Sequence, residues 1–199
     1  MTSEAFTLLK SKVLSDLDNL DSRLTYHCRE HTEDVLFHTE RIALYENIHD
    51  PRLLLLMKIA ALFHDTGFAD IYTGHEARSC EIMEHTLKDF EFEASEIEVM
   101  KKMIMATKVP QSASTLHEKV LCDADLDYLG RDDFDEISKR LRDELLSFGF
   151  IRDTDEWNDL QVNFISKHRY YTDGSLSLRE PVKRSHLSKL MRNFETDKP

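Results

Sequence analysis

Glycine and proline are scarce in this sequence, five and four residues of 199. A barrel built on tight turns consumes far more of both and is excluded, and no period-two alternation marks a strand. Cys28, Cys80 and Cys122 are odd in number, widely spaced and without a CxxC pair. That pattern argues against a zinc ribbon or a redox motif and reads as reduced, buried thiols. Long apolar runs are missing as well: residues 53–63 form the most apolar stretch, yet it contains Lys58 and is too short to span a bilayer. The N-terminus opens on a polar amphipathic segment, so no signal peptide is expected, and the expected location is cytoplasmic.

Positive charge is also in deficit, with 26 Lys and Arg against 38 Asp and Glu and a formal net charge of −12. Duplex nucleic acid and anionic membranes both require a basic face to displace counterions, so neither is an expected partner. A small anionic ligand is compatible only where local cations or a bound metal overcome the acidic field.

What is present is a soluble helical composition, 41% apolar and 32% charged, with no compositional seam, repeat or low-complexity segment. An all-α, single-domain bundle over residues 1–199 is expected. Phe6, Leu9, Val13, Leu17 and Leu20 recur at helical spacing, and Val35, Ile42 and Tyr45 give the next helix its apolar face. Asp50-Pro51 makes a cap and first turn for an almost wholly apolar helix that should end near Thr66-Gly67, where glycine can leave the helical basin. Further helices are predicted over 75–88, from a Ser95 cap to about 106, through Val120, Leu121, Ala124 and Tyr128 up to Gly130, and along Phe134, Ile137, Leu141, Leu145 and Phe148 to Gly149. Thr154 is the expected cap of a helix carrying Trp157, Phe164, Ile165 and His168. Leu187, Leu190 and Phe194 form the last apolar set, with 195–199 as a frayed tail.

The informative feature is His64-Asp65, placed where the most apolar helix meets a glycine turn. A carboxylate buried beside an imidazole requires compensation, and a metal ion supplies it. Alone the dipeptide is weak, since a helix-terminal His beside a capping Asp accounts for it. Two other segments strengthen it: Tyr26-His27-Cys28-Arg29-Glu30-His31-Thr32 upstream, and Cys122-Asp123-Ala124-Asp125-Leu126-Asp127 downstream, where Asp125 lies beside an apolar face. Two acids and two histidines carried towards one core compensate each other by binding a cation.

In order and spacing, His31 in an early helix, the His64-Asp65 doublet and the later Ala124-Asp125 resemble the HD-domain metal-dependent phosphohydrolases. The wording around Phe63 to Phe68 and Asp123 to Leu126 is similar to a bacterial subgroup of them. The resemblance implies an HD-type bundle with its motifs within 27–130 and the helices of 131–194 packed on it. It implies one divalent metal held by His31, His64, Asp65 and Asp125, with Asp125 preferred over Asp123 because the family places its last ligand directly after the Ala. Mn, Fe, Co, Ni, Zn and Mg all suit such a set in different degrees. Asp65, His75 and Glu76 are the catalytic candidates and Asp70 a further acid, with a solvated surface place the alternative for Glu76 and Asp70; His27, one turn before His31, is either a group facing phosphate or supporting a ligand or, equally, a satisfied core histidine. His38 reads as structural. Dinuclear members carry a second histidine where this chain has Ala106, which disfavours a second metal.

The implied activity is hydrolysis of a phosphate ester or anhydride, of a nucleotide-like substrate, by a metal-activated water. The oligomeric state is open, a homodimer included. Cations for phosphate would come from Arg29, Lys108, Lys167, His168, Arg169, Lys183 or Arg184. The cluster from His168 to Thr172 offers an aromatic wall for a nucleobase, against the alternative of core packing. The rival functions are a dinuclear-iron HD oxygenase and an HD module that binds a ligand without turning it over.

Overall fold

The computed structural model describes residues 1–196, and every regular element among them is helical. Helix α1 (Ser3–Leu17) starts at Thr2, whose hydroxyl accepts from the Ala5 amide, and buries Leu9, Val13, Leu14 and Leu17. Helix α2 (Arg29–Tyr45) turns His31, Val35, His38 and Ile42 inward, at the i, i+4, i+7, i+11 spacing of one helical face. In α3 (Pro51–Phe63), Asp50 caps the Arg52 amide, proline occupies the first turn, and every residue from Ile59 to Phe63 is buried. Ala60 and Ala61 let neighbouring backbones approach, so α3 is the central rod, packed by α2 and by α5 (Ala94–Thr107).

Helix α4 (His75–Thr86) packs on α5, and α6 (Leu116–Asp125) lies against both α2 and α5. Their buried faces form one apolar core from Leu9 through Met57, Met83 and Met103 to Leu121. A second cluster gathers Tyr26, Leu126, Tyr128, Leu129, Phe134, Ile165 and Tyr170. Around it lie α7 (Phe134–Ser147), α8 (Thr154–Lys167), α9 (Asp173–Leu178) and α10 (Glu180–Thr196). No described helix is long and apolar enough to cross a membrane.

Several boundaries differ from the sequence reading. The cap of α5 is Glu93, in a reciprocal capping box with Glu96, so Ser95 lies inside the helix. Thr115 and Glu118 form the same device for α6, which therefore starts before Val120 and ends at Asp125; a short 3-10 turn, Asp127–Gly130, follows. Asp153 caps α8 and Thr154 is its first residue. Tyr45 is exposed and lies across Gly174 of α9, where an added Cβ would approach its ring to 2.7 Å. Gly149 does terminate α7, with φ of 73°. Helix α10 runs two residues into the segment read as a tail, and 197–199 lie outside the described residues, as does the side chain of Phe194.

The segment after α8 is core, not a ligand wall. Trp157, Gln161, His168 and Tyr170 are all buried, and Lys183 of α10 fills the space beside them. Its Nζ donates to the His168 carbonyl at 2.8 Å, lies 3.1 Å from His168 Nδ1, and pairs with Glu180 at 2.7 Å. Burial, then the neighbouring ammonium, push the His168 pKa down to about 3.

His168 is therefore neutral in the fold and protonates readily only after unfolding. Its stabilising contribution is present above its unfolded pKa and is lost as pH falls from there towards 3. Relative to His168→Asn, which keeps an acceptor near the Nδ1 position, wild type should lose about 2 kcal/mol between pH 7 and 5 in urea unfolding. A difference that stays flat over that interval would contradict the neutral, buried imidazole.

Candidate metal centre

Helix α3 hands its last turn directly to the site. His64 is its C-cap, Asp65 follows with φ of −109°, and a 3-10 turn, Thr66–Ala69, carries the chain away. The Thr66 hydroxyl donates to the Phe63 carbonyl at 2.8 Å, and the Gly67 amide donates to Ser79 Oγ of α4 at 2.8 Å. Gly67 lies within that turn and not in the left-handed region, which Gly74 and Gly149 occupy. Its role is close approach, because an added Cβ would lie 2.0 Å from the His75 carbonyl oxygen. The doublet is thus pressed against the start of α4.

Four side chains from three separate stretches meet there. His31 Nε2 lies 3.3 Å from His64 Nε2, 3.1 Å from Asp125 Oδ1 and 3.4 Å from Asp65 Oδ2. His64 Nε2 lies 3.1 Å from Asp65 Oδ2 and 3.5 Å from Asp125 Oδ1. Ligand atoms of His31, His64 and Asp65 all fall within 4.8 Å of one another, a group that could hold a metal ion, with Asp125 adjoining.

Two observations fit the donor set to a cation. His64 Nδ1 hydrogen-bonds the Ala61 carbonyl at 2.8 Å, which in the neutral ring places the proton on Nδ1 and turns the Nε2 lone pair into the site. Asp65 Oδ2 is buried, yet no hydrogen bond of acceptable geometry reaches it despite the two nearby imidazoles.

The electrostatics have the same sign. Burial alone would depress the His31 pKa, but hydrogen bonds and charge from Asp125 and Asp65 outweigh it and raise it to about 9. His64 is raised by the same carboxylates against the same burial. Burial would raise Asp125 and Asp65, but the imidazoles hold Asp125 down at about 2 and Asp65 well below the usual carboxylate range.

His75 and Glu76 stand at the rim. His75 Nε2 lies 3.4 Å from Asp65 Oδ1 and 3.7 Å from Glu76 Oε1, and its Nδ1 is held by the Tyr72 carbonyl at 3.0 Å. Glu76 is buried with Oε2 unpartnered. Asp70, by contrast, is exposed and paired with Arg78. His27 reaches the same rim: Phe68 packs on its ring and on that of His75, at centroid distances of 4.1 and 3.9 Å, and the two imidazole centroids are 6.0 Å apart.

Sequence reasoning missed Glu144, the residue that fixes His27. This fully buried carboxylate of α7 pairs with His27 Nδ1 and accepts from the Tyr26 and His27 amides at 2.8 and 3.0 Å and from the Tyr72 hydroxyl at 2.7 Å. Its signal was an acid three residues after Leu141 and four before Phe148, on the apolar side of α7. Asp127 was missed too. It is buried and held by Arg41 at 2.7 Å and Arg179 at 3.0 Å, with His38 Nδ1 at 3.3 Å, which gives His38 the structural place expected of it.

Asp123, the rival ligand, points elsewhere. It accepts from the Tyr171 and Thr172 amides at 2.9 and 2.8 Å and from the Thr172 hydroxyl at 2.7 Å, so it fastens the segment ahead of α9. A cavity of about 300 Å³ opens beside His31, lined in part by Tyr26, Tyr128, Arg131 and Arg140. None of Arg29, Lys108, Lys167, His168, Arg169, Lys183 and Arg184 lines it; Arg29 pairs with Asp18 and Arg184 with Glu180. Comparison with family models, with curated proteins and with solved structures returns no match.

The two aspartates of the Asp123-Ala124-Asp125 segment should separate cleanly by measurement. Asp125→Asn should weaken divalent-ion binding in calorimetry by more than about 100-fold, since a lost ligand costs at least as much as a lost supporting group. Asp123→Asn should bind metal within a few-fold of wild type and lose about 1–3 kcal/mol of stability. The reverse pattern would reassign the ligand.

Proposed function

We propose that this chain is a metal-dependent phosphohydrolase of the HD type, cleaving a phosphate ester or anhydride, with nucleotides the first substrates to test. The observation that carries the reading is the convergence of His31, His64, Asp65 and Asp125, with an orphaned Asp65 oxygen, beside a cavity whose wall includes His31. A divalent ion bound by these four residues supplies Lewis acidity to a phosphoryl oxygen and a lowered pKa to a bound water.

The remaining work falls to the chain itself. Asp65 and Asp125 set the charge of the site, and the Ala61 carbonyl holds His64 in its ligating tautomer. Glu76, with its buried, unpartnered Oε2, accepts a proton from the attacking water as a P–O bond forms. His75, oriented through the Tyr72 carbonyl, steadies that carboxylate and Asp65.

Glu144 accepts the Nδ1 proton of His27, so the ring gives a proton to the departing oxygen from Nε2 as an imidazolium paired with that carboxylate. Cleavage of the P–O bond then releases a protonated alcohol, or a protonated phosphate when an anhydride is cut. Tyr72 closes the arrangement through its hydrogen bond to Glu144.

Phosphate release with Mn or Mg should persist under anaerobic conditions. His27→Ala should lower kcat by about 10²- to 10⁴-fold with metal occupancy unchanged, and Asp65→Ala should lose both ion and activity while its far-ultraviolet circular dichroism stays helical. Dioxygen consumption with iron, and no hydrolysis with any metal across nucleotides, cyclic nucleotides and simple phosphoesters, would overturn the reading.

A further inference from the structure

Exposure at the metal centre is concentrated at its rim. The side chains of His27, His75 and Asp125 are 17, 18 and 15% exposed, against 1% for His64. A leaving group that takes its proton from His27 departs past that ring, so its organic part meets the surface next to His27. That surface is aromatic. Tyr72 stands edge-on to His27 and to Phe68, with ring centroids 6.0 and 5.0 Å apart. Beyond it, Phe148 and Phe150 lie 4.9 and 4.5 Å from the Tyr72 ring.

Both ends of this row are fastened. The Tyr72 hydroxyl donates at 2.7 Å to Glu144, the carboxylate that also engages His27. Phe150 follows the left-handed Gly149, and its amide donates to the Leu145 carbonyl at 2.9 Å while the Gly149 amide donates to the Leu146 carbonyl at 3.1 Å, the paired bonds of a Schellman motif. An apolar residue in that place commonly packs back on its own helix. Phe150 lies on Tyr72 instead, with 51% of its surface open.

A half-exposed ring fixed by backbone hydrogen bonds, and joined through Tyr72 to the proton donor, is preorganised to receive another flat apolar group. Free charge is not what the row offers. The Arg23 guanidinium, 4.2 Å from the Phe148 ring, is already paired with Asp21 at 2.6 Å.

We propose that Tyr72 and Phe150 form the leaving-group subsite of the centre and select phosphomonoesters whose alcohol carries an aromatic ring. The proposal rests on the phosphohydrolase reading, which places the departing oxygen at His27.

Two measurements test it. In the first, kcat/KM of the Mn-loaded protein is compared for 2-phenylethyl phosphate and ethyl phosphate, whose leaving alcohols are alike in acidity and differ in the ring. The ratio should be about tenfold. Phe150→Ser should bring it to within about twofold of unity, chiefly through KM, and Phe150→Trp should restore it. Phe37→Ser, which removes an exposed phenylalanine of α2 outside the row, should leave the ratio as in wild type.

In the second, 2-phenylethanol is titrated into the magnesium-loaded protein and followed by NMR. It should bind in the millimolar range, shift the Tyr72 and Phe150 ring resonances, and fail to bind Phe150→Ser. A wild-type ratio near one, a ratio that Phe150→Ser retains, or phenylethanol that wild type does not bind overturns the proposal, and leaves the hydrolase reading standing where both esters are cleaved. Phenylethanol binding lost in Phe150→Ser, with no ester turned over, keeps the aromatic subsite and removes the hydrolase reading.

Discussion

The mutual compensation of buried charge at His31, His64, Asp65 and Asp125 is the constraint around which the bundle is arranged. Each of these groups is costly to bury alone, and removal of one partner from such a set leaves the others uncompensated, at about 3–5 kcal/mol. They come from α2, from the end of α3 and from the end of α6, so the three helices must meet in one register. Phe63 and the residues before it anchor α3 in the apolar core, Val35 and Ile42 do the same for α2, and Leu121 and Ala124 for α6. The core sets the position of the polar centre, and the polar centre fixes which rotation of each helix is acceptable.

Three further buried carboxylates tie the C-terminal third of the chain to that centre. Glu144 of α7 holds the backbone ahead of His31 and the Tyr72 loop after Asp65. Asp123, two residues before Asp125, holds the segment leading into α9. Asp127, two residues after it, is clamped by Arg41 from α2 and Arg179 beyond α9. Asp125 therefore sits between two fastened neighbours. The helices after 130 supply the groups that position the candidate site, although its proposed ligands all precede them.

Cation supply follows a different rule from the one composition suggests. The acidic excess of the chain is not reversed locally by a cluster of free lysines; the arginines beside the cavity are already engaged by aspartate and glutamate.

The sequence determined the helical class, the central place of α3, and the segments that meet at the centre. The reasons are local: scarcity of glycine and proline, apolar spacing near 3.6, and a His-Asp doublet at the end of the most apolar helix. Caps were less legible, because Glu93, Asp153 and Thr115 compete with equally polar neighbours at adjacent positions and hydrogen-bond geometry decides among them. Tertiary structure alone decided that Asp123 is a fastener, that Glu144 engages His27 across 117 residues, and that Lys183 is buried against His168. The sequence carries the type of each of these side chains but not its partner. A buried charge takes its role from whatever the fold brings within about 3 Å of it, and that neighbour lies far away along the chain.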